Sequence, residues 1–138
     1  MQEIFTIVIA DRNPRVRGFL QRELGREGYR IRLAENVQDL LKWVFNHEPI
    51  DLIILDPDLP DAVDSHLLTT LQNRMPPVPV IIHTHYAHTL PEAEAGATFI
   101  TVEKGGSSVE RLKEVADDIL RRPRPVSSPS LETAPSRS

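Results

Sequence analysis

The chain has 138 residues, 40% hydrophobic and 26% charged, with a net charge of −4 and no cysteine. That is enough for one domain with a proper core and too little for two. The negative balance argues against general nucleic-acid binding, and the missing cysteines exclude disulfide and thiol chemistry while allowing a reducing cytosol.

No apolar run exceeds strand length, so no membrane span is expected. The N-terminus, MQEIFTIVIAD, carries acid where a secretory signal would carry base, and a cytoplasmic location is expected. Ile4 to Ala10 (IFTIVIA) reads as an apolar strand that ends in Asp11. Asn13-Pro14 then starts a helix, with Asn as N-cap and Pro at the first helical position. Val16, Phe19, Leu20 and Leu24 share one face of it, and Gly28 closes it. Tyr29 to Ala34 sets Tyr29, Ile31 and Leu33 against Arg30 and Arg32, the alternation of a half-buried edge strand. Asn36 caps a second helix that turns Val37, Leu40, Leu41 and Val44 inward and ends before Pro49.

The stretch PIDLIILDPDLPD, Pro49 to Asp61, holds the most pointed signal. Five apolar residues from Ile50 to Leu55, interrupted only by Asp51, stop abruptly at Asp56, and Pro-Asp-Leu-Pro cannot continue a central strand. Such a run reads as a strand buried on both faces of a parallel sheet. Asp64 or Ser65 can cap a third helix through about Asn73, with Leu67, Leu68 and Leu71 inward. Val78 to Thr84 is a fourth strand, Pro91 to Ala95 allows one or two helical turns, and Phe99 to Val102 is a short fifth strand. Ser108 caps a last amphipathic helix carrying Val109, Leu112, Val115, Ala116, Ile119 and Leu120. Five βα units in succession predict an α/β fold, a doubly wound parallel sheet with helices on both faces. From Pro123 to Ser138, nine of 16 residues are Pro or Ser. This composition predicts a disordered tail, either a natural end or the stub of a linker to an output domain.

Asp11, Asp56 and Thr84 follow or end three strands, and Lys104 follows the fifth. In a doubly wound sheet these ends converge on one crevice. Two carboxylates and a backbone carbonyl suit Mg²⁺, a hydroxyl and an ammonium counter phosphoryl charge, and an aspartate can itself be the nucleophile, forming an acyl phosphate.

Here the chain resembles the response-regulator receiver domains of two-component signalling. LDPDLPDAVDS is similar to that family's phosphoacceptor segment, IADRNP to its acidic pocket, PVIIHTH to its strand-plus-Thr segment and GATFITVEKG to its Gly-Ala…Lys segment. The resemblance covers about residues 3 to 122, and residues 1–122 are expected to form the receiver domain. It implies a flavodoxin-like sheet of order 2-1-3-4-5, with Asp56 taking a phosphoryl group from a sensor histidine kinase or a histidine phosphotransfer protein. It implies Mg²⁺ on Asp11, Asp56 and the backbone carbonyl of Asp58, with Thr84 and Lys104 on the phosphoryl oxygens. Such a domain is a switch, not an independent enzyme, and a homodimer is compatible with it.

Four departures stand out. The family's second acid after the first strand is replaced by Arg12, which either points to solvent or enters the pocket, where it pairs with Asp56 or later holds the phosphate. Losing one anionic ligand should weaken Mg²⁺. Gly96 to Lys104 is one residue longer than usual, so Glu103 takes the nominal lysine position unless a bulge, helped by Gly105-Gly106, restores Lys104. Thr101 or Ile100 stands where an aromatic switch residue is common. The segment from Thr84 to Gly96 is short and holds Pro91, so the fourth helix is expected to be a stub and the usual output surface altered.

His83, His85 and His88 invite a zinc reading, but no acid or cysteine completes a tetrahedral set nearby, and ordinary hydrogen bonds are expected. His85 can instead gate access to Asp56. Seven arginines from Arg12 to Arg32 suggest a solvated face, or a face on which a phosphodonor docks. Asp58 and Asp61 are expected in turn roles. A divergent receiver working as a phosphorylation-independent interaction module is the alternative function. A flavodoxin-fold nucleotide binder is disfavoured because no Gly-rich loop follows the first strand, and nothing after Arg122 forms a helix-turn-helix.

Overall fold

The computed structural model describes residues 4–46, 48–61, 67–73, 78–85 and 99–121. These residues form β1 (Thr6–Ala10), α1 (Pro14–Arg26), β2 (Arg30–Ala34), α2 (Val37–Val44), β3 (Leu52–Leu55), α3 (Leu67–Gln72), β4 (Val80–Thr84), β5 (Phe99–Glu103) and α4 (Ser108–Leu120). All five strands pair in parallel, in the order β2-β1-β3-β4-β5. That is the predicted architecture. The expected fourth-helix stub at Pro91 to Ala95, the alternative caps Asp64 and Ser65, and the tail from Pro123 all lie outside the described residues.

β1, β3 and β4 are buried along their whole length because each has a neighbour on both edges and helices on both faces. On one face Val8, Ile53, Leu55, Val80 and Ile82 meet α2 and α3 through Val37, Leu40, Val44, Leu67 and Leu71. On the other, Ile7, Ile9, Leu52, Ile54 and Ile81 meet α1 and α4 through Leu20, Leu24, Leu112 and Val115. Each such side chain contributes roughly 1.5–3 kcal/mol on leaving water. No helix among the described residues is long and apolar enough to cross a membrane.

Two predicted N-caps form as expected. The side chain of Asn13 accepts from the N–H of Arg15 ahead of Pro14, and that of Asn36 accepts from the N–H of Asp39. The third does not. The chain enters α4 one residue earlier than predicted, at Ser107, whose side chain makes no capping bond. A turn in which the Ser108 N–H donates to the Gly105 carbonyl (3.2 Å) already starts the helix, so Ser108 is its first residue.

Asp61 reaches back from the loop after β3 and accepts from the N–H groups of Val37 (2.6 Å) and Gln38 (3.2 Å). Those two bonds, the Val37 one foremost, lower the pKa of its carboxyl. With Asn36, the start of α2 is thus capped from two directions, and the loop that carries Asp56 is fastened to it. Asp61→Ala should lower stability by about 1 kcal/mol, the usual cost of a lost cap, read as a reduced urea midpoint with unchanged slope. An unchanged midpoint would show that Asn36 suffices.

At the opposite end of the sheet Tyr29 is buried, its hydroxyl donating to Asp117 and its ring covered by the Arg121 guanidinium at 4.1 Å. Burial and then Asp117 raise the phenol pKa well above its ordinary value. Arg121 also donates to the Glu27 carbonyl (2.7 Å), and Lys113 pairs with Glu23 (3.2 Å). Gly28 turns the chain between α1 and β2 at φ 97°, where a Cβ would also press within 3.1 Å of Arg121. This cluster clamps the end of α4 to the end of α1.

Candidate functional site

β1 and β3 lie side by side with Ala10 opposite Leu55, so the residues that follow, Asp11 and Asp56, leave the core together. The Asp56 N–H donates to the Ala10 carbonyl (2.8 Å), continuing the ladder one step and fixing the acid at the sheet's carboxyl edge. Both acids are buried, Asp56 with only 1% of its surface exposed. Each is oriented by the turn after it. Asp11 accepts from the N–H of Asn13 (2.9 Å), and Asp56 from those of Asp58 (2.9 Å) and Arg12 (3.3 Å).

Lys104 joins them from β5. Its Nζ lies 3.1 Å from Asp11 Oδ2 and 3.7 Å from Asp56 Oδ2, and its side chain is largely buried. β4 and β5 run in unbroken register from Val80 opposite Phe99 to Thr84 opposite Glu103, so no bulge lies within Phe99–Glu103. Alternation buries Val102 and exposes Glu103, and the Lys104 N–H donates to the Thr84 carbonyl (2.8 Å). Lys104, not Glu103, enters the pocket. Thr84 itself is buried at the end of β4. Thr101 pairs opposite Ile82 and is exposed, while Ile100 packs against the α1–α4 core.

Arg12 does part of both things expected of it. Its side chain is 51% exposed, yet its Nε lies 3.6 Å from Asp56 Oδ2 and its Nη2 3.9 Å from Asp58 Oδ2. Arg17 was not anticipated as part of the site. It donates to the Asp11 carbonyl (2.7 Å) and pairs with Glu35 (3.5 Å), bracing the turn that carries Asp11 and Arg12. Nothing in the sequence separates Arg17 from its neighbouring arginines.

His83 corrects a second expectation. Its side chain is 3% exposed, and neither ring nitrogen has a hydrogen-bond partner among the described residues. Alternation along β4 sends it to the Ile81 face, which packs against α1 and α4. Burial foremost, and then the nearby Lys104 ammonium, push its pKa down to about 4. His85 is exposed. The two histidines line, with Arg12, Val16, Phe19 and Lys104, an open cavity of about 500 Å³ beside the acids.

Among the described residues, no group of three or more His, Asp or Glu side chains is placed to hold a metal ion. Asp11 and Asp56 nonetheless converge on a single cationic nitrogen, so their oxygens can share one cation. Two carboxylates, completed by backbone carbonyl and water, form a donor set that a hard divalent cation accepts.

A family model for the response regulator receiver domain matches residues 7–117. The response regulator protein PilR of Pseudomonas aeruginosa is 33% identical over 134 residues, covering 93% of this chain and 28% of that protein. A DNA-binding transcriptional regulator NtrC of a Bradyrhizobium strain is 36% identical over 77 residues, 56% of this chain and 16% of that protein. Among solved structures, the response regulator TrrA of Thermotoga maritima in complex with Mg²⁺ and BeF superimposes with a TM-score of 0.71 at 28% identity. That match covers 85% of this chain and all of that one. A chain of the complex between histidine kinase ThkA and TrrA gives 0.72 at 29% identity, over 85% and 99%. The present chain thus spans well under a third of the length of PilR and NtrC.

Proposed function

The chain belongs to the response-regulator receiver family, and from that premise we propose that Asp56 is its phosphoacceptor and that the domain is a switch thrown by modifying it. The observation that carries this reading is one buried carboxylate, Asp56, fixed by backbone N–H groups and sharing the Lys104 ammonium with a second acid. An Asp56 oxygen attacks the phosphorus of a phosphohistidine, the P–N bond breaks, and the electron pair returns to the imidazole. Lys104 then exchanges part of its hold on Asp11 for the new phosphoryl oxygens, and Thr84, at the end of the neighbouring strand, supplies a hydroxyl to them. Mg²⁺ would be held by Asp11, Asp56 and the backbone carbonyl of Asp58, and would neutralise phosphoryl charge. Arg12, beside Asp56, weakens that metal by placing a positive charge against one of its carboxylate donors.

The donor would be a sensor histidine kinase or a phosphotransfer protein in the cytoplasm, as the ThkA–TrrA complex illustrates for that pair. The open cavity lined by Arg12, Lys104, Val16 and the exposed Phe19 of α1 would receive the incoming phosphohistidine next to the acids. The domain would act as a phosphoacceptor rather than an independent enzyme. Incubation with acetyl phosphate and Mg²⁺ should give one phosphoryl adduct by intact mass. No adduct from acetyl phosphate or from a competent phosphohistidine donor would leave the second reading, a phosphorylation-independent interaction module. The Arg12 side chain beside Asp56 is the observation that favours that alternative.

A further inference from the structure

The pocket sets two cations against three carboxylates, and Asp56 faces both of the cations. Lys104 alone already serves both Asp11 and Asp56, yet the Arg12 guanidinium also stands against Asp56 and Asp58. At 3.6 and 3.9 Å those contacts are beyond hydrogen-bond length, so Arg12 is held by charge alone and its donors are not committed to these carboxylates. Its backbone is committed. The Arg12 N–H donates to Asp56 Oδ2 (3.3 Å), which keeps the residue beside the reacting oxygen while its half-exposed side chain can swing. A guanidinium is a planar fork of five donors that fits phosphate oxygens two at a time.

We propose that Arg12 is a phosphoryl-binding residue, closing with Lys104 on the group carried by Asp56, so that this pocket holds a phosphoryl group without a divalent cation. The inference rests on Asp56 being the phosphoacceptor. Phosphorylation adds negative charge to the acid that Arg12 already faces, and the side chain moves from a loose ion pair onto oxygens it can chelate. The cation left out by replacing an acid with Arg12 is thereby supplied by the replacement itself.

The test uses beryllofluoride as phosphoryl mimic, its binding to the full chain followed by ¹⁹F NMR in EDTA and again in Mg²⁺. Wild type should bind in EDTA. Arg12→Gln should bind about 10- to 100-fold more weakly there, the loss of one charge-assisted partner, and should recover more affinity on adding Mg²⁺ than wild type does. Arg12→Lys, which keeps charge but not the fork, should fall between them. Equal thermal midpoints would certify that the variants are folded, as expected for a half-exposed side chain. Wild type binding only with Mg²⁺, or wild type and Arg12→Gln binding equally in EDTA, overturns the role of Arg12 and leaves Asp56 as acceptor. No binding under any condition removes both.

Discussion

Asp56→Asn is expected to abolish phosphoryl labelling while leaving the fold in place. The amide has the shape of the acid, so the carbonyl oxygen can still accept from the Asp58 N–H, and Lys104 keeps its closer partner Asp11 at 3.1 Å. What disappears is the anionic nucleophile, since a carboxamide does not form the acyl phosphate. Stability should change by no more than about 1–2 kcal/mol. The lost pairing with Lys104 and Arg12 is offset by the lower cost of burying a neutral group. Intact mass after acetyl phosphate and Mg²⁺, with urea unfolding of the same sample, reads both at once. An adduct that persists in the variant would move the acceptor to Asp11 or Asp58.

The second large effect is a loss of stability in mild acid set by His83. In the unfolded chain the imidazole titrates at its ordinary 6.5. In the fold, burial and then Lys104 lower that value to about 4. Between those values the unfolded state takes up a proton that the folded state refuses, so stability is full above about pH 6.5 and falls as pH drops toward 4. At about 1.4 kcal/mol for each pH unit, the loss approaches roughly 3 kcal/mol. Carboxylates also titrate in the lower part of that range, so the informative quantity is a difference. His83→Leu, similar in size and without polar atoms, should flatten the stability curve between pH 7 and 5 relative to wild type. It should also gain about 1–2 kcal/mol at pH 7 by removing two buried nitrogens that have no partner among the described residues. Parallel curves for the two proteins would mean that His83 is hydrated or partnered in solution.

The frame of the molecule was legible because its signals are local. LIIL and TIVIA are buried on both faces, and Asn13 and Asn36 cap where a side-chain oxygen before a helix should. The pocket was legible as far as acids at strand ends go. Counting residues from Gly96 pointed to Glu103, and only the ladder between β4 and β5, a pairing across the sheet, shows which side chain turns inward. The same limit hid His83. The sequence grouped it with His85 and His88, but burial depends on the helices above each position, and His83 is buried on the α1–α4 face while His85 is exposed. Asp61 looked like a turn residue because its partners, Val37 and Gln38, are more than 20 positions away. Ser108 misled for a smaller reason, since two neighbouring serines compete for one cap and the Gly105 turn decides between them.

The clamp of Tyr29, Asp117 and Arg121 limits how any event at Asp56 is felt elsewhere. α4 starts four residues past Lys104 and runs about 14 Å before it reaches Asp117, the first of its residues in that clamp. Ions in a physiological buffer damp a charge over roughly 8 Å. Over that span the field of a phosphoryl group on Asp56 is weakened, and α4, packed as a rod on its bed of Leu112, Val115 and Ala116, offers a mechanical route from Lys104 to Arg121.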